Sequence, residues 1–342
     1  MKRFYCRCGQ EVFFGNSVCF CCGCTLGYVY RQNAIISVVA EYNLWCDPDR
    51  QLRYRFCQNR LKHEACNGLV DASSPQVFCL ACQLNRTIPN LSVPGNLERW
   101  RKIEQAKRRL IYGLLRLGLP LQYPTRGYVQ GLAFDFLEDQ RSNPQAEKTF
   151  VATGHLNGVI TLNVLEADDV ARTQQRTLNR ERYRTLLGHL RHECGHYYDQ
   201  LLNQDAAQFT ALFGDPQQDY DAALKHYYQH GPRPDWQEHY ISAYASAHPY
   251  EDWAECFAHY LHVTDTLETA VARGTTDMTD SAEPMAQRIM HWNKLVVVMN
   301  ELNRSMGLAD AYPFSVSDKT LQKLIYIDDA IRRFAGSHQQ QQ

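Results

Sequence analysis

The chain has 342 residues, with 36 Lys and Arg against 37 Asp and Glu, so its formal net charge is −1. Hydrophobic residues make up 44% of it, which suffices for an ordinary core. No apolar run approaches the roughly 18 residues that a membrane-spanning helix needs. The first residues do not form the continuous apolar segment of a secretion signal, because cysteines and glycines interrupt the run of apolar side chains. We therefore expect a cytoplasmic protein without a membrane partner.

Cysteines and basic residues are concentrated in the first third of the chain. Eleven of the 13 cysteines lie before residue 83, and residues 1–110 carry 16 Lys and Arg against 8 Asp and Glu. In a reducing compartment, clustered cysteines typically bind metal rather than form disulfides. The basic excess has several interpretations: an acidic partner, nucleic acid, the acidic remainder of the chain, or a solvated surface.

The first cysteine set has the pattern of a zinc ribbon. Two short cysteine turns flank a strand-like segment at 11–14, and a glycine follows a cysteine in each turn. The second turn offers Cys19 with Cys22, or Cys21 with Cys24. Cys22 and its following glycine repeat the first turn, and glycine suits such a turn. The favoured ligands of this first structural zinc are Cys6, Cys8, Cys19 and Cys22.

A second cysteine set follows, and it includes a C-x-x-C pair at 79–82. Cys46 and His63 are rival ligands, and a group of unpaired buried cysteines is the alternative to a metal site. The favoured ligands of this second structural zinc are Cys57, Cys66, Cys79 and Cys82.

The middle of the chain predicts one long helix and one strand. After the breaker-rich segment 91–95, Asn96 is a plausible N-cap for a helix to about Leu117, with a basic face opposite its apolar positions. This helix is expected to dock one module on the next. Residues 159–165 alternate apolar and polar side chains, which indicates a half-buried strand. Such a strand could offer its edge to a peptide substrate.

The motif H-E-x-x-H at 192–196 lies among apolar residues that recur at helical spacing. On a helix, His192 and His196 are one turn apart on the same face, so both imidazoles can reach one zinc ion. Glu193 is rotated about 100° from His192. It can therefore take a proton from a zinc-activated water rather than bind the metal. Cys194 points away from the ligands and is expected to be a buried thiol.

A second informative stretch, 242–262, supplies candidates for a third ligand. Pro249 suits the first turn of a helix, on which Glu251 and Glu255 share a face at i, i+4. The third ligand must come from outside the motif helix, because the residues one turn on either side of the histidines are Gly188 and Gln200. A third candidate, the histidine at 248, ranks lower because it precedes a proline and is biased toward an extended conformation.

Segments 183–193 and 248–255, together with the N-terminal cysteine turns, resemble the bacterial "putative zinc-binding metallopeptidase" family. Tyr244 lies seven residues before Glu251, and Glu255 lies four after it, which is similar to the active site of anthrax lethal factor. The resemblance implies a gluzincin, with His192, His196 and Glu251 on the catalytic zinc. It further implies that Glu255 hydrogen-bonds a ligand histidine, and Tyr244 is expected to donate to the oxyanion.

Together these features predict an α+β protein. A mainly helical, zincin-like (gluzincin) catalytic domain at 94–342 would follow a zinc ribbon at 1–30 and a second cysteine-rich module at 31–93. The predicted activity is zinc-dependent hydrolysis of peptide bonds in a peptide or protein, with one catalytic and two structural zinc ions. The ribbons could also bind a protein partner. The alternatives are an inactive zinc-binding adaptor and a nucleic-acid-binding protein that acts through the basic zinc-ribbon region. The second alternative is disfavoured because this region lacks a dense run of Lys and Arg with aromatic residues between them.

Overall fold

The computed structural model describes residues 1–121, 131–178, 183–279 and 282–339. They form two compact units. The first comprises residues 2–175, and the second comprises residues 176–342 together with Met1. The first unit mixes strands and helices, whereas every regular element described within 183–339 is helical. None of the described helices is long and apolar enough to cross a membrane.

The cysteine-rich part of the first unit is built on antiparallel strands. A two-stranded hairpin pairs β1 (Phe4–Tyr5) with β2 (Glu11–Val12). A five-stranded sheet follows in the order of the chain: β3 (Thr25–Val29), β4 (Ala34–Glu41), β5 (Leu44–Asp47), β6 (Leu52–Phe56) and β7 (Leu69–Asp71). Its buried residues include Val38, Tyr54 and Leu69. Two short helices, α1 (Gln58–His63) and α2 (Leu80–Gln83), each begin directly after a cysteine.

A four-stranded sheet completes the first unit, in the order β10-β11-β9-β8. Its strands are β8 (Asn85–Thr87), β9 (Ala133–Leu137), β10 (Gly154–Leu156) and β11 (Val159–Asn163). The predicted strand at 159–165 is therefore confirmed over its first five residues. The expectation that it offers a free edge is wrong, because β11 pairs with β10 on one side and β9 on the other. Its predicted polar face is also partly buried, since Asn163 donates to Asp139 at 2.6 Å.

The predicted long helix is confirmed as α3 (Asn96–Arg116), and Gly95 rather than Asn96 occupies its N-cap position. It contacts the cysteine-rich part, because Arg101 donates to the carbonyl of His63 at 2.7 Å. The basic face predicted for this helix, made of Arg101, Lys102, Lys107, Arg108 and Arg109, is wrong in part. Lys107 and Arg108 are buried. Lys107 pairs with Glu104 at 2.8 Å, while Arg108 donates to Asn67 at 2.6 Å. The short helix α4 (Asp169–Leu178) spans the boundary between the units.

The second unit is a helical assembly around one long helix. Its helices are α5 (Leu186–Leu202), α6 (Ala206–Phe213), α7 (Tyr220–His230), α8 (Trp236–His239), α9 (Pro249–Arg273), α10 (Met285–Ser305) and α11 (Asp318–Gln339). The sequence of 289–302 and of 318–334 also predicts helices, and both are confirmed and extend further. The central helix α9 packs on α5, α10 and α11. Buried Trp253 and Phe257 lie on it, and Lys323 of α11 donates to its buried Asp252 at 2.5 Å.

The crossing of α5 and α9 depends on a glycine inside the H-E-x-x-H motif. A Cβ atom on Gly195 would lie 2.7 Å from the Cα atom of Ala254, so only glycine allows this approach. The indole nitrogen of Trp253 donates to the carbonyl oxygen of Gly195 at 2.8 Å, which fixes the crossing point. This contact places the motif histidines opposite Glu251 and Glu255.

Candidate metal centre

The N-terminal ends of two helices orient the side chains of the site. Helix α5 begins at Thr185, whose hydroxyl accepts from the N–H of Gly188 at 3.0 Å. Helix α9 begins after His248, whose Nδ1 accepts from the N–H of Tyr250 at 3.1 Å. The Nε2–H of His248 donates to the carbonyl of Gln218 at 3.2 Å. Both ring nitrogens of His248 are therefore engaged, and this histidine caps a helix rather than joining the metal-ligand cluster.

His192, His196 and Glu251 converge on one point, with their ligand atoms within 4.8 Å of one another. The Nε2 atoms of the two histidines are 3.2 Å apart. Glu251 Oε2 lies 3.0 Å from His192 Nε2, and Oε1 lies 3.5 Å from His196 Nε2. Two imidazole nitrogens and one carboxylate form a donor set that catalytic zinc sites use.

An unsatisfied oxygen supports the fit of a cation to this cluster. Glu251 Oε2 is buried and has no hydrogen-bond partner among the described residues. A buried carboxylate oxygen left in this state is costly unless a cation compensates it. Burial alone would raise the pKa of Glu251, but its closeness to His192 and His196 holds this pKa well below its ordinary value. This carboxylate is therefore in the ionised form that binds metal.

Glu255 contacts the other side of the His192 ring. His192 Nδ1 lies 2.7 Å from Glu255 Oε1, so the ring N–H at this position donates to the carboxylate and leaves Nε2 for a metal. The second oxygen, Oε2, accepts from the hydroxyl of Ser242 at 2.5 Å. Burial alone would raise the pKa of Glu255, but its contact with His192 lowers this pKa to about 2.

The proposed base and oxyanion donor lie beside the cluster. Glu193 is buried, and its Oε1 is 3.4 Å from His189 Nε2. Burial alone would raise the pKa of Glu193, but His189 and the motif histidines lower it below the ordinary value. The ring of Tyr244 has its centroid 5.9 Å from that of His192. Burial and the negative charge of Glu251 raise the pKa of Tyr244, so its hydroxyl stays protonated.

Other residues near the motif have different partners. Cys194 is buried as expected. His259 Nδ1 lies 2.6 Å from the hydroxyl of Tyr312, and His262 Nδ1 lies 2.7 Å from an Arg191 nitrogen. Neither histidine joins the metal-ligand cluster.

The sequence did not predict three contacts at the site. They are the contact of His189 with Glu193, the hydrogen bond from Ser242 to Glu255, and a hydrogen bond from the hydroxyl of Tyr220 to Glu251 Oε1. The Tyr- and His-rich composition of 219–230 was a visible signal, but composition does not show which tyrosine faces the metal-ligand cluster.

The first cysteine set converges as the favoured pairing predicts. Cys6 and Cys22 have sulfurs 3.5 Å apart, and Cys8 and Cys19 have sulfurs 3.8 Å apart. Zn–S bonds of about 2.3 Å in a tetrahedron give sulfur separations of roughly 3.8 Å. The alternative Cys21 is exposed, and neither it nor Cys24 belongs to the four-sulfur cluster. Both turn glycines have positive φ, +87° at residue 9 and +72° at residue 23, where other residues would be strained.

The second cysteine set is buried completely. The sulfurs of Cys57, Cys66, Cys79 and Cys82 lie within 4.8 Å of one another. Gly68 leaves room for one of them, since a Cβ atom there would be 2.5 Å from Cys79 Sγ. The rival ligands do not join this cluster. Cys46 lies within β5, and the His63 ring packs edge-on against Trp100 at 5.6 Å.

Two clusters of four cysteines and one His–His–Glu cluster characterise a zinc-binding protein with a metallopeptidase-like domain. Comparison with known families agrees. Residues 96–330 match the family described as "Putative zinc-binding metallo-peptidase", and residues 3–93 match a zinc-ribbon domain. The chain belongs to this metallopeptidase family, and the resemblance seen in the sequence is confirmed.

Similar full-length proteins occur in mycobacteria. Uncharacterized proteins of Mycobacterium bovis and of two strains of Mycobacterium tuberculosis are 40% identical over 347 aligned positions, covering 98% of this chain and 96% of theirs. No solved structure matches the chain. The likeness to anthrax lethal factor and the boundaries of the three predicted domains remain predictions.

Proposed function

We propose that this protein is a gluzincin-type zinc metallopeptidase that hydrolyses peptide bonds in a peptide or protein. The observation that carries the proposal is the meeting of Glu251 with both motif histidines, with its Oε2 buried and not hydrogen-bonded within the described chain. The zinc ligands would be His192, His196 and Glu251. Zinc, when bound there, supplies a Lewis acid that lowers the pKa of water and polarises a carbonyl.

The remaining residues have separate roles in the proposed reaction. Glu193 accepts a proton from the attacking water and delivers it to the leaving amine. Tyr244 donates a hydrogen bond to the negative charge that develops on the carbonyl oxygen. Glu255 orients His192 through the Nδ1 hydrogen bond, which keeps Nε2 directed at the metal.

We further propose that the two cysteine clusters hold structural zinc ions, within a ribbon at 1–30 and a second module at 31–93 that precede the catalytic domain at 94–342. These modules could recruit a protein partner. The many free thiols suit a reducing compartment, and a cytoplasmic location is part of this proposal.

The test replaces the proposed base without removing a ligand. Glu193→Gln should retain zinc, but its rate of hydrolysis of a peptide library should fall about 10²–10⁴-fold. This is the rate enhancement that general-base catalysis typically contributes. Mass spectrometry of the library and elemental analysis of the same samples give both results. Glu238→Gln, an exposed change on α8, is the matched control and should cleave like the wild type. Hydrolysis by Glu193→Gln within about tenfold of wild type would disprove the mechanism.

Tyr244→Phe tests the oxyanion donor in the same assay. It should lower the rate by about 10²–10³ and leave the zinc content unchanged, because the tyrosine is not assigned as a ligand. An unchanged rate would make Tyr244 a packing residue.

A further inference from the structure

A tyrosine outside both sequence motifs contacts the carboxylate assigned to zinc. Tyr220 is the first residue of α7, and its hydroxyl donates to Glu251 Oε1. The other oxygen, Oε2, has no hydrogen-bond partner within the described chain and lies 3.0 Å from His192 Nε2. The two oxygens of one carboxylate are therefore in different environments.

The position of Tyr220 is fixed by the same structure that begins α9. Its ring packs edge-on against His248 with centroids 5.1 Å apart, and His248 caps α9 three residues before Glu251. No residue of α7 is buried. This helix is instead held by contacts at the site, including the ring of Tyr227 against Tyr244 at 5.6 Å. The contact with Glu251 is thus a main attachment of α7 rather than a chance surface contact.

We propose that Tyr220 positions Glu251 as a monodentate zinc ligand, an inference that rests on the function proposed above. Its phenol donates to Oε1 and leaves Oε2 as the metal-binding atom. A carboxylate fixed in this way occupies one coordination position instead of two, so a position stays open for water. Tyr220 touches neither metal nor substrate in this role and acts through Glu251.

The test measures the metal site directly. Tyr220→Phe removes the hydroxyl and keeps the ring on His248. Zinc affinity at the His–His–Glu site, measured by competition with a chelator, should fall about 10–100-fold, as is typical when a partner of a ligand is lost. The protein loaded with Co²⁺ at this site should show a changed visible spectrum, because Glu251 can then rotate and use both oxygens. Tyr42→Phe, which removes the hydroxyl of a fully exposed tyrosine in the first unit, should change neither zinc affinity nor the spectrum.

A double-mutant cycle separates positioning from folding. In a Glu251→Ala background, the weak metal affinity that the two histidines retain at high zinc concentration should not fall further with Tyr220→Phe, because the hydroxyl acts through that carboxylate. Equal zinc affinity and an equal Co²⁺ spectrum in wild type and Tyr220→Phe would overturn the inference and leave the peptidase proposal intact. A wild-type chain that binds no zinc at this site would instead overturn the proposed function.

A second inference comes from an independent observation on α10. The N-terminal half of this helix is anchored by buried Ile289 and Trp292, but its outer side exposes large apolar side chains. Val297 is 63% and Leu302 62% exposed. The exposed apolar residues of this region are Met290, Val297, Val298, Leu302, Met306 and Leu308. Met290, Val297, Val298 and Leu302 lie on one side of α10 at helical spacing, and exposed apolar side chains gathered on one helix face often mark an interaction site.

The charges on this side of α10 match a second copy of the same helix. Lys294 and Glu301 lie on the same side of the helix as the two valines, and at equal distances from the midpoint between Val297 and Val298. In an antiparallel pair with its two-fold axis at that midpoint, each lysine faces the glutamate of the other copy and the valines pack at the axis. The ion pairs that these residues make within one chain are on exposed side chains, and such pairs contribute little.

We infer that the occupant of this surface is a second copy of the chain, in a symmetric dimer through α10. The test is sedimentation equilibrium of the full chain over a concentration series. Val298→Asp should give a monomer, and Lys294→Glu should weaken association about tenfold by placing like charges opposite each other. The double variant Lys294→Glu/Glu301→Lys should recover association, because it restores both pairs. A monomeric wild type, or no recovery in the double variant, would overturn the inference.

Discussion

The two carboxylates that share one side of the first two turns of α9 are chemically alike but have different contacts. Glu251 approaches both motif histidines, whereas Glu255 contacts His192 only at Nδ1 and is also held by Ser242. Their separation along the helix explains the difference, since residues four apart are about 6 Å apart along the axis. One carboxylate can therefore reach a metal bound at Nε2 while the other reaches the far side of the same ring.

This difference predicts unequal metal loss in two variants. Glu251→Ala should lose the zinc of the His–His–Glu site, because it removes a ligand. Glu255→Ala should retain that zinc with about 10–100-fold lower affinity, because it removes only the partner of His192. Chelator titration followed by elemental analysis measures both. The reverse order would show that the ligand assignment is wrong, even with the peptidase activity intact.

At the scale of single residues, the sequence predicted the two i, i+4 pairs that meet at the metal-ligand cluster. It missed partners that lie far apart in the chain, and it also missed the i, i+4 contact of His189 with Glu193. His192, His196, Glu251 and Glu255 occur as two i, i+4 pairs, and a helix brings each pair to one face. Tyr220 is 31 positions from Glu251, and Ser242 is 13 from Glu255. No periodicity relates residues at such separations, because the path of the chain between them decides whether they meet.

At the scale of elements, helix and strand positions were predictable but their neighbours were not. The strand now described as β11 was expected from alternation, which indicates one buried face and contains no information on pairing partners. The buried Lys107 and Arg108 of α3 show the same limit. Their partners Asn67 and Asn85 lie outside the helix, and Glu104 lies within it. The pattern alone therefore placed these cations on a basic face opposite the apolar positions.

The close crossing of α5 and α9 predicts that Gly195→Ala lowers both the stability of the protein and its zinc affinity. Gly195→Ala puts a methyl group 2.7 Å from a backbone atom of α9, so the two helices must separate. Overpacking of this kind typically costs about 1–3 kcal/mol of unfolding free energy. Zinc affinity should fall as well, because the histidines and Glu251 are on the two helices that move apart.

A matched control is available in the same unit. Gly336 is within α11, and a Cβ atom there would meet nothing within 4 Å. Gly336→Ala should therefore be neutral or stabilising by up to about 1 kcal/mol, because alanine has the higher helix propensity. Chemical denaturation of both variants measures the contrast. Similar stability of the two variants would contradict the close-packing argument.

At the scale of the whole molecule, metal is expected to contribute differently to the two units. The first unit contains both cysteine clusters, and eight thiols within it meet in two groups that lack any disulfide. Its β3–β7 sheet is built of short strands, and α1 and α2 each follow a cluster cysteine. The second unit places the three residues of its His–His–Glu cluster on two long helices that also pack through Trp253 and Phe257. Zinc should therefore matter for folding in the first unit and mainly for activity in the second.

Removal of a single thiol tests this distribution. The wild-type chain should hold three zinc ions, and Cys79→Ser should hold two, because a buried cluster that loses one thiolate binds zinc poorly. Its first unit should also unfold at lower temperature and become sensitive to proteolysis, since the binding free energy of a structural zinc is folding free energy.

Cys21→Ser is the control, because Cys21 is exposed and outside the first cluster. It should keep all three ions and the wild-type melting temperature. Loss of a zinc ion from Cys21→Ser would instead assign the first site to Cys21 and Cys24. A single zinc ion per wild-type chain would show that the cysteine clusters are not metal sites.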